Sequence, residues 1–436
     1  MSRASLVVLT LLLLTGSKSH AAEFPELTLD EAIHEAEQGS PDVKLAIDSA
    51  EEADWKRVEA LSGFLPTLSA NGYHYFHQKV QTFNINFAGT EGVFPFVTPL
   101  TQFTIDANIT VFDGLQNVHR YSAAKELSNA AVLNQSWVQF QIERQVRIAY
   151  YLAVAAEQIE NVAEENVKTL QEHLDTTRAL KRHGQGTRYD ELRVRVQMKQ
   201  ALTDRVQSRN NVFVTRKKLA QLLGKENDLR PLHRDLPAPD PSLTRYTELK
   251  PDVSRRTDIS ALDHRSTSAD LSRKAAAAFW VPKFSLAGQF QWYNNVNYAI
   301  DDVKSFRNAY YVGLLLSWNI FDGAASFSRT KEALYQKQEA EDRADSARLQ
   351  AHYDIESSKR NLAFGIANYQ SQTDQVIESQ EAVRLAHEGY KAGIRTINDV
   401  LDAQLDLYRS KAGVVNAKLS TIQSFTNLEL ALGKAL

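Results

Sequence analysis

Cysteine is absent from the whole 436-residue chain. That absence excludes disulfides, thiolate metal sites and a lipidated cysteine tether. A surplus of one charge is missing too. The formal net charge is -3 with basic and acidic residues intermixed, so the chain offers no concentrated positive face for a phosphate backbone, and nucleic acid is not an expected partner. No Gly-x-Ser-x-Gly elbow, Walker-type loop or His-Glu-x-x-His motif occurs. The acidic residues mostly lie at helical spacing near basic ones, as on a solvated face. No catalytic residue, cofactor or metal is expected on these grounds.

Long apolar runs are scarce. The stretch Leu6 to Leu14 is about half the roughly 20 residues that a helical span requires. It follows Met1-Ser2-Arg3 and precedes Gly16-Ser17-Lys18-Ser19-His20-Ala21-Ala22. A basic start, a short apolar core and small residues at the end predict a secretory leader over residues 1–21, cleaved after Ala21. Beyond it no helical span exists, so residence in a membrane would have to come from β-strands. Proline is missing between Pro99 and Pro231 and after Pro282, while Pro231, Pro237, Pro239, Pro241 and Pro251 crowd one stretch. That crowding marks a linker over residues 225–250.

The linker separates two copies of one unit, 22–224 and 251–436. Phe64-Leu65-Pro66-Thr67-Leu68-Ser69-Ala70-Asn71-Gly72 matches Trp280-Val281-Pro282-Lys283-Phe284-Ser285-Leu286-Ala287-Gly288, and Val111-Phe112-Asp113-Gly114 matches Ile320-Phe321-Asp322-Gly323. Gly184, Thr187, Asp190 and Leu192 match Gly393, Thr396, Asp399 and Leu401, and the segment from Leu219 to Gly224 matches that from Leu428 to Gly433. The first copy is longer between its first two anchors, as expected of a surface loop.

Within each copy the hydrophobic period changes from helical to extended and back. Thr28 and Glu31 stand at capping-box spacing before an Ala-rich helix. Then Phe284, Leu286, Gly288, Phe290 and Trp292 alternate with Lys283, Ser285, Ala287, Gln289 and Gln291, and Tyr310, Val312, Leu314, Leu316, Trp318 and Ile320 form a second apolar row. Period two of this kind predicts strands over about 282–295 and 308–321. Their counterparts are about 66–80, where His74 interrupts the apolar face, and 101–113. After Gly114 the chain runs to His183 with neither glycine nor proline, which predicts a helix over about 115–183 that is on the order of 100 Å long. A partner helix spans about 189–223, and the second copy repeats both over about 323–391 and 397–433. Apolar residues at heptad spacing, with a second small-residue stripe through Val146, Ala149 and Ala153, suit a helix packed between two neighbours in a closed ring.

Four strands of about ten residues can each cross a bilayer, but four cannot close, and open edges are forbidden in lipid. A shared barrel is therefore required. Two chains give eight strands and a filled interior, whereas three give twelve and a water-filled lumen. The expected fold is mainly α with a transmembrane β part: a trimeric 12-stranded barrel continued by an α-helical barrel. A structural or adhesive coiled-coil protein of the surface, or a soluble periplasmic adaptor, would explain the heptads but not the paired amphipathic strands.

These features resemble the TolC-like outer-membrane efflux proteins. The resemblance covers essentially the whole chain after the leader. Leu65-Pro66-Thr67-Leu68-Ser69-Ala70, both Phe-Asp-Gly strand ends, and the run from Tyr390 to Gln404 carry it. It implies a homotrimer spanning outer-membrane lipid, a helical barrel through the periplasm, and a collar built from the linker and the C-terminus. It implies as partners a periplasmic adaptor and an inner-membrane pump of the RND or ABC type. The missing cysteine places the chain with the members that are not lipid-anchored. Adaptor contact is implied at the turns Gly184-Gln185-Gly186 and Gly393-Ile394. Asp399 and Asp402, three apart on one helix face, align with the family's aperture residues, as do Tyr390, Arg395 and Asp190. Threefold symmetry would make each aspartate a ring of three carboxylates, with Arg395 partnering carboxylates of a neighbouring helix such as Asp190. The competing reading of the aspartates is helix-start residues favoured by the macrodipole.

Two aromatic features invite sharper readings. His74 and His77 stand three apart, which on a strand puts them on opposite faces, and a rim position is expected rather than a metal site. Tyr73, Tyr75, Trp292, Tyr293, Tyr310, Tyr311 and Trp318 read as interfacial girdles and core rather than stacking platforms for a substrate. Phe94-Pro95-Phe96 and residues 294–298 are expected in outer loops.

Overall fold

A computed structural model describes residues 25–79, 81–87, 89–95, 99–228, 230–233, 235–295 and 306–436. The leader, Phe96 and residues 296–298 lie outside them. Helices α1 (Leu29–Gly39) and α2 (Pro41–Leu61) lead into β1 (Thr67–His74), a hairpin of β2 (Thr82–Phe87) and β3 (Thr90–Pro95), then β4 (Pro99–Phe112). The long α3 (Gln116–Arg182) and α4 (Arg188–Leu222) close the first copy. In the second copy α5 (Thr257–Ala277) precedes β5 (Lys283–Asn295), β6 (Arg307–Ser317), the long α6 (Ala325–Lys391) and α7 (Ile397–Leu432). Thr28 caps α1 with the capping box read from its spacing.

Four strands form one antiparallel sheet in the order β1-β4-β5-β6. Cross-strand register aligns Ser69, Asp106 and Gln289 on one face, and Ala70, Ile105 and Phe290 on the other. The polar face carries Thr104, Asp106, Gln102, Gln289 and Gln291. Its amides and hydroxyls are joined, with Gln102 bonded to Gln291 at 3.2 Å and Asp106 accepting from Gln289 Nε2 at 2.5 Å. The apolar face is bare: Tyr310, Val312, Leu314 and Leu316 are exposed, Leu314 by 78%. Aromatic side chains stand at both ends of this face. Phe112 and Phe284 pair at one end, and Phe103, Phe290 and Trp292 at the other. From Phe284 to Trp292 the strand rises about 26 Å, comparable with the apolar band of about 25 Å that outer-membrane barrels present to lipid.

The strands differ from expectation at three places. β1 stops at His74 rather than near residue 80, because its partner β4 begins at Pro99, which has no N–H to extend the ladder; the last bond is Tyr75 N–H to Leu100 O at 2.9 Å. His77 therefore lies past the strand, and His74 bonds Thr101 Oγ1 at 2.7 Å. β6 ends at Ser317 because Lys283, opposite it, is the first residue of β5. Trp318 instead donates from Nε1 to Trp280 O at 3.2 Å. Phe94 and Pro95 belong to β3, and Asn294 and Asn295 end β5. The aromatics also divide between faces: Tyr73, Tyr293 and Tyr311 share the polar face with Gln102 and Gln289, while Trp292 and Tyr310 share the apolar one.

Each Phe-Asp-Gly end is a strand-to-helix switch. Asp113 Oδ2 accepts from Asn117 N–H at 2.9 Å and Asp322 Oδ2 from Ser326 N–H at 3.0 Å. The chain then reverses through two successive left-handed residues, Gly114-Leu115 and Gly323-Ala324. The main core lies where α1, α3, α4 and α7 meet, around Leu27, Val146, Tyr150, Leu223 and Leu236. The linker starts along it, with Leu27 N–H donating to Pro231 O at 2.8 Å and Leu232 and Leu236 buried there, and then reaches a second cluster where Tyr246 packs on Phe425.

Candidate functional site: the paired helix tips

The long helices end by the same local chemistry. Gly184 and Gly393 adopt φ of +74° and +71°, and the next residue's N–H returns to the helix, Gln185 to Leu180 O and Ile394 to Gly389 O, both at 2.9 Å. That 6→1 bond with a left-handed residue is a Schellman stop, for which glycine carries no Cβ penalty. The chain restarts at a capping box. Thr187 Oγ1 accepts from Asp190 N–H at 3.1 Å while Asp190 Oδ2 accepts from Thr187 N–H at 3.0 Å. Thr396 and Asp399 repeat this at 3.4 and 2.7 Å.

Both tips pack on one apolar cluster that includes Leu170, Leu174, Val194, Ile397, Val400 and Leu401, with Tyr390 against it. Burial pushes the Tyr390 phenol up, and the nearby Asp190 charge adds to this. The Asp399 carboxyl is held below its usual range by the Thr396 backbone N–H and hydroxyl. Asp402 is exposed on the next turn. Arg395 is exposed, its stem lying over Gly389, where an added Cβ would stand 2.8 Å from Arg395 Cγ. Ile394 is 84% exposed.

A chain with an open amphipathic sheet at one end and twin capped hairpins at the other matches a known family. The family model for outer membrane efflux protein matches residues 32–225 and 253–434. The chain belongs to the outer membrane efflux protein family. It is 24% identical to the outer membrane protein TolC of Escherichia coli over 93% of this chain and 82% of that one. It is 25% identical to the pyoverdine export outer membrane protein OpmQ of Pseudomonas putida over 94% and 86%. In fold it is similar to the outer membrane protein VceC of Vibrio cholerae, with TM-score 0.76, 17% identity, and 93% and 96% of the two chains covered. The CmeC outer membrane channel of Campylobacter jejuni is similar at TM-score 0.75, 15% identity, and 99% and 94% coverage. This family member is thus an outer-membrane efflux exit duct.

Among the described residues the structure brings Asp190 near Tyr390, and it sets Arg395 close enough to Asp399 for its charge to help hold that carboxyl down, without a direct ion pair. Both capping aspartates have one oxygen engaged locally, so the helix-start reading is satisfied for Asp190 and Asp399, while it assigns nothing to Asp402. Two links were not foreseen. Arg193 Nε donates to Asn398 Oδ1 at 2.9 Å, joining α4 to α7. Glu191 gathers Lys181 at 2.8 Å, Arg195 at 2.6 Å and Arg178 at 3.4 Å, joining α3 to α4. Lys181 first, then Arg195, lower the Glu191 carboxyl to about 2. Only the Glu191 to Arg195 spacing was legible in sequence; the cross-helix partners depend on hairpin register.

Proposed function

We propose that three copies of this chain form a duct whose barrel crosses the outer membrane and whose tips form a periplasmic gate. The observation that carries this is the tip built twice. Two hairpins of one chain end in the same glycine stop and capping box, packed on one cluster, about 100 Å along α3 from the sheet. Threefold repetition places Asp399 and Asp402 in acidic rings, and rings of carboxylates in a narrow pore favour cations and can hold them tightly enough to block. Arg395, exposed and in no direct ion pair among the described residues, is then available to carboxylates of a neighbouring copy. Individually such exposed links are worth little, so closure rests on several together and weakens with salt. The turns at Gly184-Gln185-Gly186 and Gly393-Ile394 face outward for a periplasmic adaptor, which couples the duct to an inner-membrane pump of the RND or ABC type. Residues 1–21 act as a cleaved leader, the mature chain carries no lipid, segment 225–250 forms the collar, and the duct performs no catalysis.

Planar-bilayer conductance tests the gate. Arg395→Ala and Asp190→Ala should raise conductance, and Asp399→Ala with Asp402→Ala should remove block by multivalent cations. Because Asp190 and Asp399 also cap helices, with about 1 kcal/mol at stake, trimer assembly is checked in each variant. Assembled trimers with unchanged conductance in the first pair and unchanged block in the second would leave these residues as caps alone.

A further inference from the structure

Between the ends of α3 and α6 lies a cleft of about 520 Å³. His173, His387, Lys391, Arg395, Gln185 and Tyr390 line it, and none of its lining residues is a carboxylate. The two imidazole rings approach to 6.0 Å between centres, tilted by 56°. His173 Nε2 is buried and has no hydrogen-bond partner. The imidazole itself is part of the cleft wall, which puts its ring beside a guest there. Burial, then the neighbouring His387, holds the His173 imidazole below its usual range, which favours the neutral ring as donor or acceptor. Lys391 and Arg395 supply two permanent positive charges, while the positive end of α7 at Ile397 is set against the negative C-terminal ends of α3 and α6, so the two side chains carry the attraction for an anion. The nearest acids are engaged or exposed: Asp190, close to Tyr390, and Asp399 in their caps, and Glu172 exposed.

Donors and positive charge without a carboxylate describe a receptor for a compact dianion. We infer that this cleft binds a phosphate group, as inorganic phosphate or a small soluble phosphomonoester, with His173 and His387 donating from the two sides and Lys391 and Arg395 neutralising its charge. A lipid headgroup of the bilayer that the sheet crosses is not the source, because α3 sets the cleft about 100 Å from the sheet. The bound anion would bridge α3 to α6 and hold the two hairpin ends together. That effect on opening rests on the gate reading above, whereas binding itself does not.

Phosphorus NMR of inorganic phosphate with the assembled trimer, at ionic strength held constant with chloride, tests binding. Saturable line broadening is expected, with affinity lowered at least tenfold in His173→Ala and in Lys391→Ala and unchanged in His352→Ala, an exposed position on α6 away from the tip. His387→Gln serves where His173→Ala fails to assemble. Broadening equal in all variants, or displaced equally by the same concentration of chloride, would overturn the proposal. Conductance in phosphate against chloride at matched ionic strength separates the two readings: binding without a conductance change retains the site and rejects its role at the gate.

Discussion

At the scale of single residues, the most consequential polar group is Glu429. It is 2% exposed and accepts from Arg147 Nη1 at 2.7 Å, with Arg144, equally buried, at 3.6 Å and Leu436 N–H at 3.0 Å. Arg144 also contacts Glu143 and lies over the Phe140 ring at 3.9 Å. Removing one partner of such a network leaves the other charge buried without compensation. Glu429→Ala should therefore destabilise the folded chain by about 3–5 kcal/mol, read as a lower melting temperature in detergent. Glu429→Gln, which keeps an acceptor, should lose less. The heptad pattern gave no warning of this group, because a glutamate near a helix end reads as surface until the neighbouring helix is in place.

Among the elements, the tips combine a requirement legible in sequence with one that is not. Gly184 and Gly393 have open space around a would-be Cβ, so substitution there meets no neighbour. The cost is backbone strain alone, about 1–2 kcal/mol for a left-handed residue with a side chain. Gly184→Val and Gly393→Val should leave trimers assembled, as seen by size exclusion, while transport falls through the altered tip. Loss of the trimer would instead assign these glycines to folding. The turns and capping boxes were readable because glycine, threonine and aspartate at fixed spacing have local causes. Arg193 to Asn398 and the His173 to His387 approach were not, since they join residues more than 200 positions apart.

For the whole molecule, the four-stranded sheet is the part that makes no sense in water. Leu314 and Leu315 are neighbours on β6 with side chains on opposite faces, Leu314 beside Leu286 and Leu315 beside Ser285. Leu314→Lys puts a charge on the lipid face and should cost about 2–4 kcal/mol near the bilayer middle, seen as a loss of heat-modifiable trimer from outer-membrane extracts. Leu315→Lys, on the lumenal face, should assemble at close to normal yield. Equal loss in both would mean that the faces are not divided between lipid and water.

By itself the sequence determined what repeats and what alternates: the twofold unit, the amphipathic strands, the two long helices and the capped turns. Each has a local physical cause, the period of the backbone or the chemistry of a few adjacent residues. Tertiary structure alone decided where strands stop, because Pro99 and Lys283 limit partners far away in sequence. It also decided which acids are caps or buried anchors, and that the imidazoles of α3 and α6 share one cleft. Those outcomes depend on the register between distant elements, and side-chain packing across them, not local periodicity, sets it.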